Sequence, residues 1–345
     1  MASAAPKGLL GRMSLRKSVS QVQRETATSE LKRSLGPWNL VFLGIGCIIG
    51  AGIFVRTGNA AALHAGPAVL LSFVIAGVVC AFAGLCYAEL SSTLPVSGSA
   101  YTYSYTTLGE FAAWVMGSLL LLEYGLAASV VAVGWSGYMV SLLGDIGIHV
   151  PAALTGPAGH AKELADGTVI TTIFNLPAFL VCISLALLLI LGVSESAKVN
   201  NIIVAIKVSV LVAFILVGGI MILSNWSNFA PNWQPFIPEN TGEGQFGWDG
   251  ILRGASIVFF AYIGFEAVST AAQEAKNPGR DMPIGIIGSL VACTVIYILV
   301  SIVLTLVVNY KDLNVPDPVA VAVDAFGPQW AWFAATIKVG AIIGL

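Results

Sequence analysis

The chain has 345 residues, of which 57% are apolar and 10% charged, and its formal net charge is −2. Soluble globular proteins carry about 25% charged residues, so this composition excludes an ordinary water-soluble domain. It favours a membrane protein, for which we expect the lipid bilayer as a partner and no nucleic acid.

Residues 1–37 are predicted to form a cytoplasmic N-terminal tail, and residues 38–345 a transmembrane domain. No apolar core precedes a small-residue cleavage site in the tail, so it is not a signal peptide. Its basic, Ser- and Thr-rich composition predicts a disordered or surface-lying segment. Seven positive charges place the N-terminus in the cytoplasm by the positive-inside rule. These are Lys7, Arg12, Arg16, Lys17, Arg24, Lys32 and Arg33.

Eight hydrophobic segments follow the tail. They lie near residues 39–64, 67–94, 109–143, 174–192, 199–223, 249–272, 283–309 and 329–345. A helix of about 20 apolar residues crosses a hydrocarbon core of about 30 Å, so an all-α polytopic membrane protein is predicted. The loops 144–173 and 224–248 are expected on the outer side. Because the eighth segment reaches the last residue, we expect the chain to be a fragment that ends within helix 8.

Segment 1 contains four glycines within nine residues, at positions 44, 46, 50 and 52. Each glycine costs about 1 kcal/mol relative to alanine inside a helix. Two interpretations remain open for this segment alone. The glycines favour either close packing between helices or an interrupted helix whose freed N–H groups bind an anion.

Segment 6 contains the run 259–266, in which Gly264 and Glu266 fall at membrane depth. An inverted five-plus-five repeat places its two discontinuous helices at the first position of each block of five helices. Segments 1 and 6 stand at these positions. Free N–H groups suit a carboxylate and free C=O groups suit an ammonium. Together the two interruptions therefore predict a receptor for an α-amino acid.

Three motifs carry a family resemblance. They are the glycine-rich run 44–54, the pair 87–90 and 95–103 at the end of segment 2, and the run 260–269 with its continuation 274–286. With them the chain resembles the amino acid–polyamine–organocation transporters, and among these the cationic amino acid transporter family and its bacterial homologues. The resemblance implies a five-plus-five inverted-repeat fold with discontinuous helices 1 and 6 and the substrate at the midplane.

The resemblance also assigns residues to substrate binding. The amides around Ala51 and Gly52 would hold the carboxylate, and the carbonyls of Ile48, Phe260 and Ile263 the amino group. Phe260 would also cover the substrate as part of a gate, although ordinary packing is the alternative for this ring. The full predicted set is Ile48, Gly50, Ala51, Gly52, Phe260, Ala261, Tyr262, Ile263 and Glu123.

Lys207 lies nine residues beyond Lys198, and therefore about 13 Å deeper along a helix. Burial favours the neutral form of an ammonium group, so this residue is a candidate proton carrier. In the resembled family a lysine at this position stands where sodium-coupled relatives hold the ion. Lys207 is predicted to couple transport to protons, without a metal or organic cofactor. Snorkelling and a fixed structural ion pair are the alternatives.

Four further charged residues lie within the hydrophobic segments. Glu123 is predicted near the distal end of the substrate, where it would suit a cationic side chain, pair with Lys207 or exchange protons. Glu266 would pair with protein groups or line the outer pathway. Glu89 would act at an inner gate or be structural, and Lys338 has no assigned role.

The predicted function is secondary active transport of an L-amino acid, cationic or small and neutral, across the cell membrane by alternating access, with proton coupling. An exchanger or uniporter, or a sensor that binds without transporting, stays open, as does a small membrane-protein partner. A membrane-embedded enzyme is disfavoured because the histidines His64, His149 and His160 lie near segment ends or in loops.

Overall fold

The computed structural model describes residues 13–27, 33–163, 168–191 and 197–345. The basic residues Lys7, Arg12 and Lys32 of the predicted tail lie outside these ranges. Helices dominate the described part of the chain. The α-helices are α1 Val19–Ala27, α2 Pro37–Ile48, α3 Thr57–Ala60, α4 Val69–Thr93, α5 Ser99–Thr107, α6 Glu110–Asp145, α7 Leu176–Ile190, α8 Ala197–Ser224, α9 Trp226–Phe229, α10 Gly247–Val258, α11 Pro278–Val307, α12 Pro318–Asp324 and α13 Ala331–Gly344.

Shorter elements join or interrupt these helices. The π-helical turns are Gly52–Arg56 and Ala61–Ala65. The 3₁₀ turns are Gly66–Ala68, Ala152–Leu154, Ala230–Trp233, Phe259–Tyr262, Glu266–Gln273, Tyr310–Leu313 and Pro328–Trp330. Strands β1 Ala161–Glu163 and β2 Val169–Thr171 form an antiparallel hairpin in which Ala161 faces Thr171.

Five helical stretches of the described chain are long and apolar enough to cross a membrane. They are Gly52–Thr93, Glu110–Asp145, Asn201–Ser224, Gly247–Gln273 and Pro278–Val307. The apolar helices α2 and α7 are shorter. The prediction of an all-α polytopic membrane protein is therefore confirmed, while the inverted repeat stays a prediction.

The chain forms two compact units, and the boundaries between them fall at both predicted interruptions. Unit 1 contains the described residues up to 48 together with 79–128 and 263–292. Unit 2 contains residues 49–78, the described part of 129–262, and 293–345. Segments 1 and 6 therefore each contribute one half to each unit.

Small residues bring helices into close contact within unit 1. A Cβ atom at Gly44 would overlap the side chain of Ser289, and one at Gly285 would lie 2.6 Å from the Cβ of Leu40. Close helix packing, one of the two interpretations of the glycine-rich segment, therefore applies to Gly44.

The N-terminal tail is not disordered throughout, because residues 19–27 form helix α1. Val22 on this helix is 2% exposed and packs in a cluster with Leu94, Val96 and Tyr103. This contact packs α1 against unit 1, and the cytoplasmic location of the tail stays a prediction.

Candidate functional site

The first interruption follows helix α2. This helix ends at Ile48, the backbone bends at Ile49 and Gly50, and helical structure resumes with the π-helical turn Gly52–Arg56. Ala51 stands before this turn and no side chain caps it. The first N–H groups of a helix have no acceptor within the helix, so the new helix begins with donors directed away from its own backbone.

Lys207 bonds the backbone at this interruption. Its Nζ atom donates to the carbonyl oxygen of Ile49 over 2.9 Å, and the residue is only 6% exposed. Inside a membrane an unsatisfied carbonyl costs several kcal/mol. The ammonium group on α8 therefore stabilises the bend in segment 1, a contact that sequence reasoning did not anticipate.

The second interruption follows helix α10. The α-helix ends at Val258, a 3₁₀ turn covers Phe259–Tyr262, and a second 3₁₀ stretch begins only at Glu266. Between them Gly264 has φ of +112°, in the left-handed region that favours glycine. A Cβ atom there would also lie 2.6 Å from the carbonyl oxygen of Cys47. Conformation and space thus both require a glycine.

Within unit 2 the two interrupted segments touch. A Cβ atom at Gly52 would overlap the Cα of Ala261, so only glycine permits this approach. The carbonyl oxygen of Ala261 accepts a hydrogen bond of 2.9 Å from the hydroxyl of Tyr297 on α11. Tyr297 was not predicted as a site residue. The stretch 284–308 carries four other hydroxyl groups, those of Ser289, Thr294, Ser301 and Thr305, so no signal in the sequence singled out Tyr297.

The aromatic residues of the second interruption have different surroundings. Phe260 is half-buried, and the guanidinium carbon of Arg56 lies 5.7 Å from the centre of its ring. Tyr262 is fully buried, and its hydroxyl donates to the carbonyl oxygen of Phe73 over 2.9 Å. The side chain of Tyr262 thus packs against α4, whereas Phe260 keeps part of its surface accessible.

Glu266 fixes the second interruption from within unit 1. Its carboxylate accepts hydrogen bonds from the backbone N–H of Gly264 (2.9 Å) and from the hydroxyl of Tyr124 (3.1 Å). Of the two predicted alternatives for this acid, pairing with protein groups matches the structure. Glu123, the neighbour of Tyr124 on α6, is half-buried in the same unit.

We expect Glu266→Ala to destabilise the protein because the Gly264 N–H would lose its acceptor, at a cost of about 1–3 kcal/mol. The thermal unfolding midpoint of the purified protein should fall, and Glu266→Gln, which keeps an acceptor oxygen, should recover part of the loss. Glu239→Ala, which changes an exposed acid, is the control. Equal midpoints for Glu266→Ala and the wild type would contradict a positioning role for this carboxylate.

The predicted site residues divide between the two units. Unit 2 brings Lys207 together with six of them: Gly50, Ala51, Gly52, Phe260, Ala261 and Tyr262. Ile48, Ile263 and Glu123 belong to unit 1. Direct pairing of Glu123 with Lys207, and the contribution of each residue to substrate binding, stay predictions.

Comparisons with known proteins agree with the predicted family. Residues 35–345 match a family model described as amino acid permease. The methylthioribose transporter of Bacillus subtilis (strain 168) is 46% identical over 330 residues, or 96% of this chain and 67% of that protein. The branched-chain amino acid permease BcaP of the same organism is 46% identical over 332 residues, with the same two coverages.

A plant relative is more distant. Cationic amino acid transporter 9, chloroplastic, of Arabidopsis thaliana is 39% identical over 324 residues, or 93% of this chain and 53% of that protein. The chain thus spans 67% of the length of the two bacterial relatives and 53% of that of the plant relative. These matches confirm the resemblance drawn from the three motifs.

Proposed function

Because the chain belongs to the amino acid permease family, we propose that it carries an L-amino acid across the cell membrane by alternating access. We further propose that the N-terminus lies in the cytoplasm. The observation that carries the proposal is the contact of Gly52 with Ala261, which joins the two interrupted segments within unit 2. Interrupted helices of this kind are where transporters hold charged substrate groups.

The chemistry of the interruptions suits an amino acid. Helical N–H groups begin at Ala51 and Gly52, where a carboxylate would accept hydrogen bonds. The carbonyl groups of Phe260 and Ile263, with that of Ile48, are proposed to accept from the ammonium group. The carbonyl of Ala261 already accepts a hydrogen bond from Tyr297. We therefore assign Ala261 to close packing around the substrate. Phe260 is proposed to cover the substrate.

Proton coupling through Lys207 is the proposed source of energy. As an ammonium, this residue donates to Ile49 and keeps the bend of segment 1 in place. Loss of its proton would leave an amine that bonds the carbonyl more weakly, because hydrogen bonds from charged donors are the stronger ones. Loss of the proton from Lys207 would therefore loosen the bend whose amides are proposed to hold the substrate carboxylate. This change would favour release of the substrate.

The side chain of the substrate is proposed to be cationic or small and neutral. Glu123 supports the cationic alternative because it places a half-buried carboxylate on the membrane-spanning helix α6. The relatives differ in this respect, since their names indicate methylthioribose, branched-chain and cationic amino acids. Backbone groups bind only the α-amino and carboxylate groups that all amino acids share. The preference for a substrate side chain must therefore be measured directly.

We expect purified protein in proteoliposomes to take up labelled arginine, alanine or leucine, and to do so faster when the outside is more acidic. Uptake should be measured at several pH values, and empty liposomes set the background. Binding of an amino acid without flux would contradict transport and support a sensor. Flux that needs a second amino acid inside the vesicles, but no pH gradient, would support an exchanger. Downhill flux independent of both would support a uniporter.

A further inference from the structure

A cavity lies in unit 2, and none of the residues that line it belongs to the interrupted segments. Its volume is about 590 Å³, within the range of pockets that hold small ligands. One wall is helix α6 between residues 133 and 141. The other walls are the loop 155–161, Thr172 and Asn175, and the connection 314–317 between α11 and α12.

Asp317 is the acidic group among the residues that line this cavity. It is half-buried and forms a hydrogen bond with Ser141 on the opposite wall. Burial raises its pKa above the ordinary value for aspartate, while Ser141 and Lys338 lower it and Asp324 raises it further. The carboxylate therefore lies where a nearby positive charge would stabilise its ionised form.

Lys338 does not supply that charge by direct contact. Its Nζ atom lies 2.8 Å from Asp145 and 2.9 Å from Asp324, and its side chain is only 1% exposed. Those two carboxylates already offset the ammonium charge. Asp317 is a third acid within electrostatic range of the same lysine, so the described charges around this wall sum to a negative value.

The remaining lining is mixed: part of it is polar, including His160, Thr172 and Asn314, and part of it suits a ligand with an apolar body. Val133, Val140 and Val315 provide apolar surface beside Asp317. The hydroxyl groups of Ser136 and Thr155 also line the cavity, although Ser136 donates to the carboxamide of Asn175 over 2.7 Å. A carboxylate at one side of an apolar wall is suited to an ammonium group on a short alkyl chain.

We propose that this cavity is an outer binding site for a small organic ammonium ion, with Asp317 as its counter-ion. The site is separate from the interrupted helices, so it would serve as a docking or modulatory position rather than as the transport site. Its ligand is recognised by the positive charge and the alkyl chain.

Calorimetric titration of the purified full chain with cadaverine tests this proposal, and 1,5-pentanediol serves as the uncharged probe of equal chain length. We expect cadaverine to bind and pentanediol not to bind. Asp317→Asn should weaken cadaverine binding about tenfold or more, because a charge-assisted hydrogen bond contributes at least this factor. Asp312→Asn, which neutralises an exposed acid on the preceding turn, should bind like the wild type.

A second variant tests the cavity without removing the carboxylate. Val133→Phe places an aromatic ring in the cavity and should also weaken cadaverine binding about tenfold. This result would support the proposal even if Asp317→Asn does not fold. Unchanged cadaverine binding in both folded variants, equal binding of pentanediol, or no binding to the wild type would each overturn the proposal. The proposed transport function does not depend on these outcomes, because uptake through the interrupted helices is measured separately.

Discussion

Gly52→Ala is expected to lower the initial rate of amino acid uptake at least about tenfold. The added methyl group would overlap the Cα of Ala261. Backbone atoms cannot rotate away as a flexible side chain can, and overpacking of a well-packed site costs about 1–3 kcal/mol or more. The two interrupted segments would therefore separate, and the proposed amide and carbonyl groups would lose their common position. Uptake of labelled amino acid into proteoliposomes measures the effect.

Gly219→Ala is the matched control for this experiment. Gly219 lies on α8 outside the predicted site, and a Cβ atom added there meets nothing within 4 Å. We expect its uptake to stay within a few-fold of the wild type, because the substitution adds no overlap. Equal losses in the two variants would show that the effect does not come from the contact with Ala261. Wild-type uptake by Gly52→Ala would contradict the proposed role of the contact.

The interruptions could be predicted from the sequence because they follow from local rules. Four glycines in nine residues disfavour a continuous helix, and the carboxylate of Glu266 beside Gly264 disfavours an ordinary membrane segment. Both positions match the ends of α2 and α10 in the structure. The residues that interrupt a helix lie at the interruption itself, so the local sequence is enough to predict where it falls.

The partners of the interruptions could not be predicted in the same way. The bond from Lys207 to the carbonyl of Ile49 joins residues 158 positions apart, and the bond from Tyr297 to Ala261 spans 36 positions. Each depends on which faces of two helices meet, and a strongly apolar helix shows little periodicity that identifies a face. The interpretation of Lys207 as a proton carrier therefore could not be separated from its alternatives, snorkelling and a fixed structural ion pair, by the sequence.

The cavity beside Asp317 could be predicted even less from the sequence. Its walls come from the end of a long helix and from two loops, and loops follow no hydrophobic periodicity. Asp317 precedes Pro318 in a short connection, a sequence that predicts the start of a helix more readily than a binding site. Only the three-dimensional arrangement places its carboxylate opposite Ser141.

Lys207→Met is expected to lower uptake about tenfold or more and to remove its dependence on pH. Methionine has a similar length but donates no hydrogen bond, so the carbonyl of Ile49 would lose its partner at a cost of about 1–3 kcal/mol. Wild-type uptake should rise as the outside becomes more acidic, since a proton gradient would drive it. The variant carries no group at this position that can take up that proton.

Lys207→Arg separates the two roles that this residue combines. Arginine keeps a positive charge and hydrogen-bond donors near Ile49, but it does not release its proton in proteins. If Lys207 carries the coupled proton, the arginine variant should bind amino acid while its uptake becomes slow and insensitive to pH. Lys276→Met, at an exposed position, should keep both rate and pH dependence. A wild-type pH profile in Lys207→Arg would instead make Lys207 a fixed structural bond and place proton coupling on another residue, for which Glu123 is the next candidate.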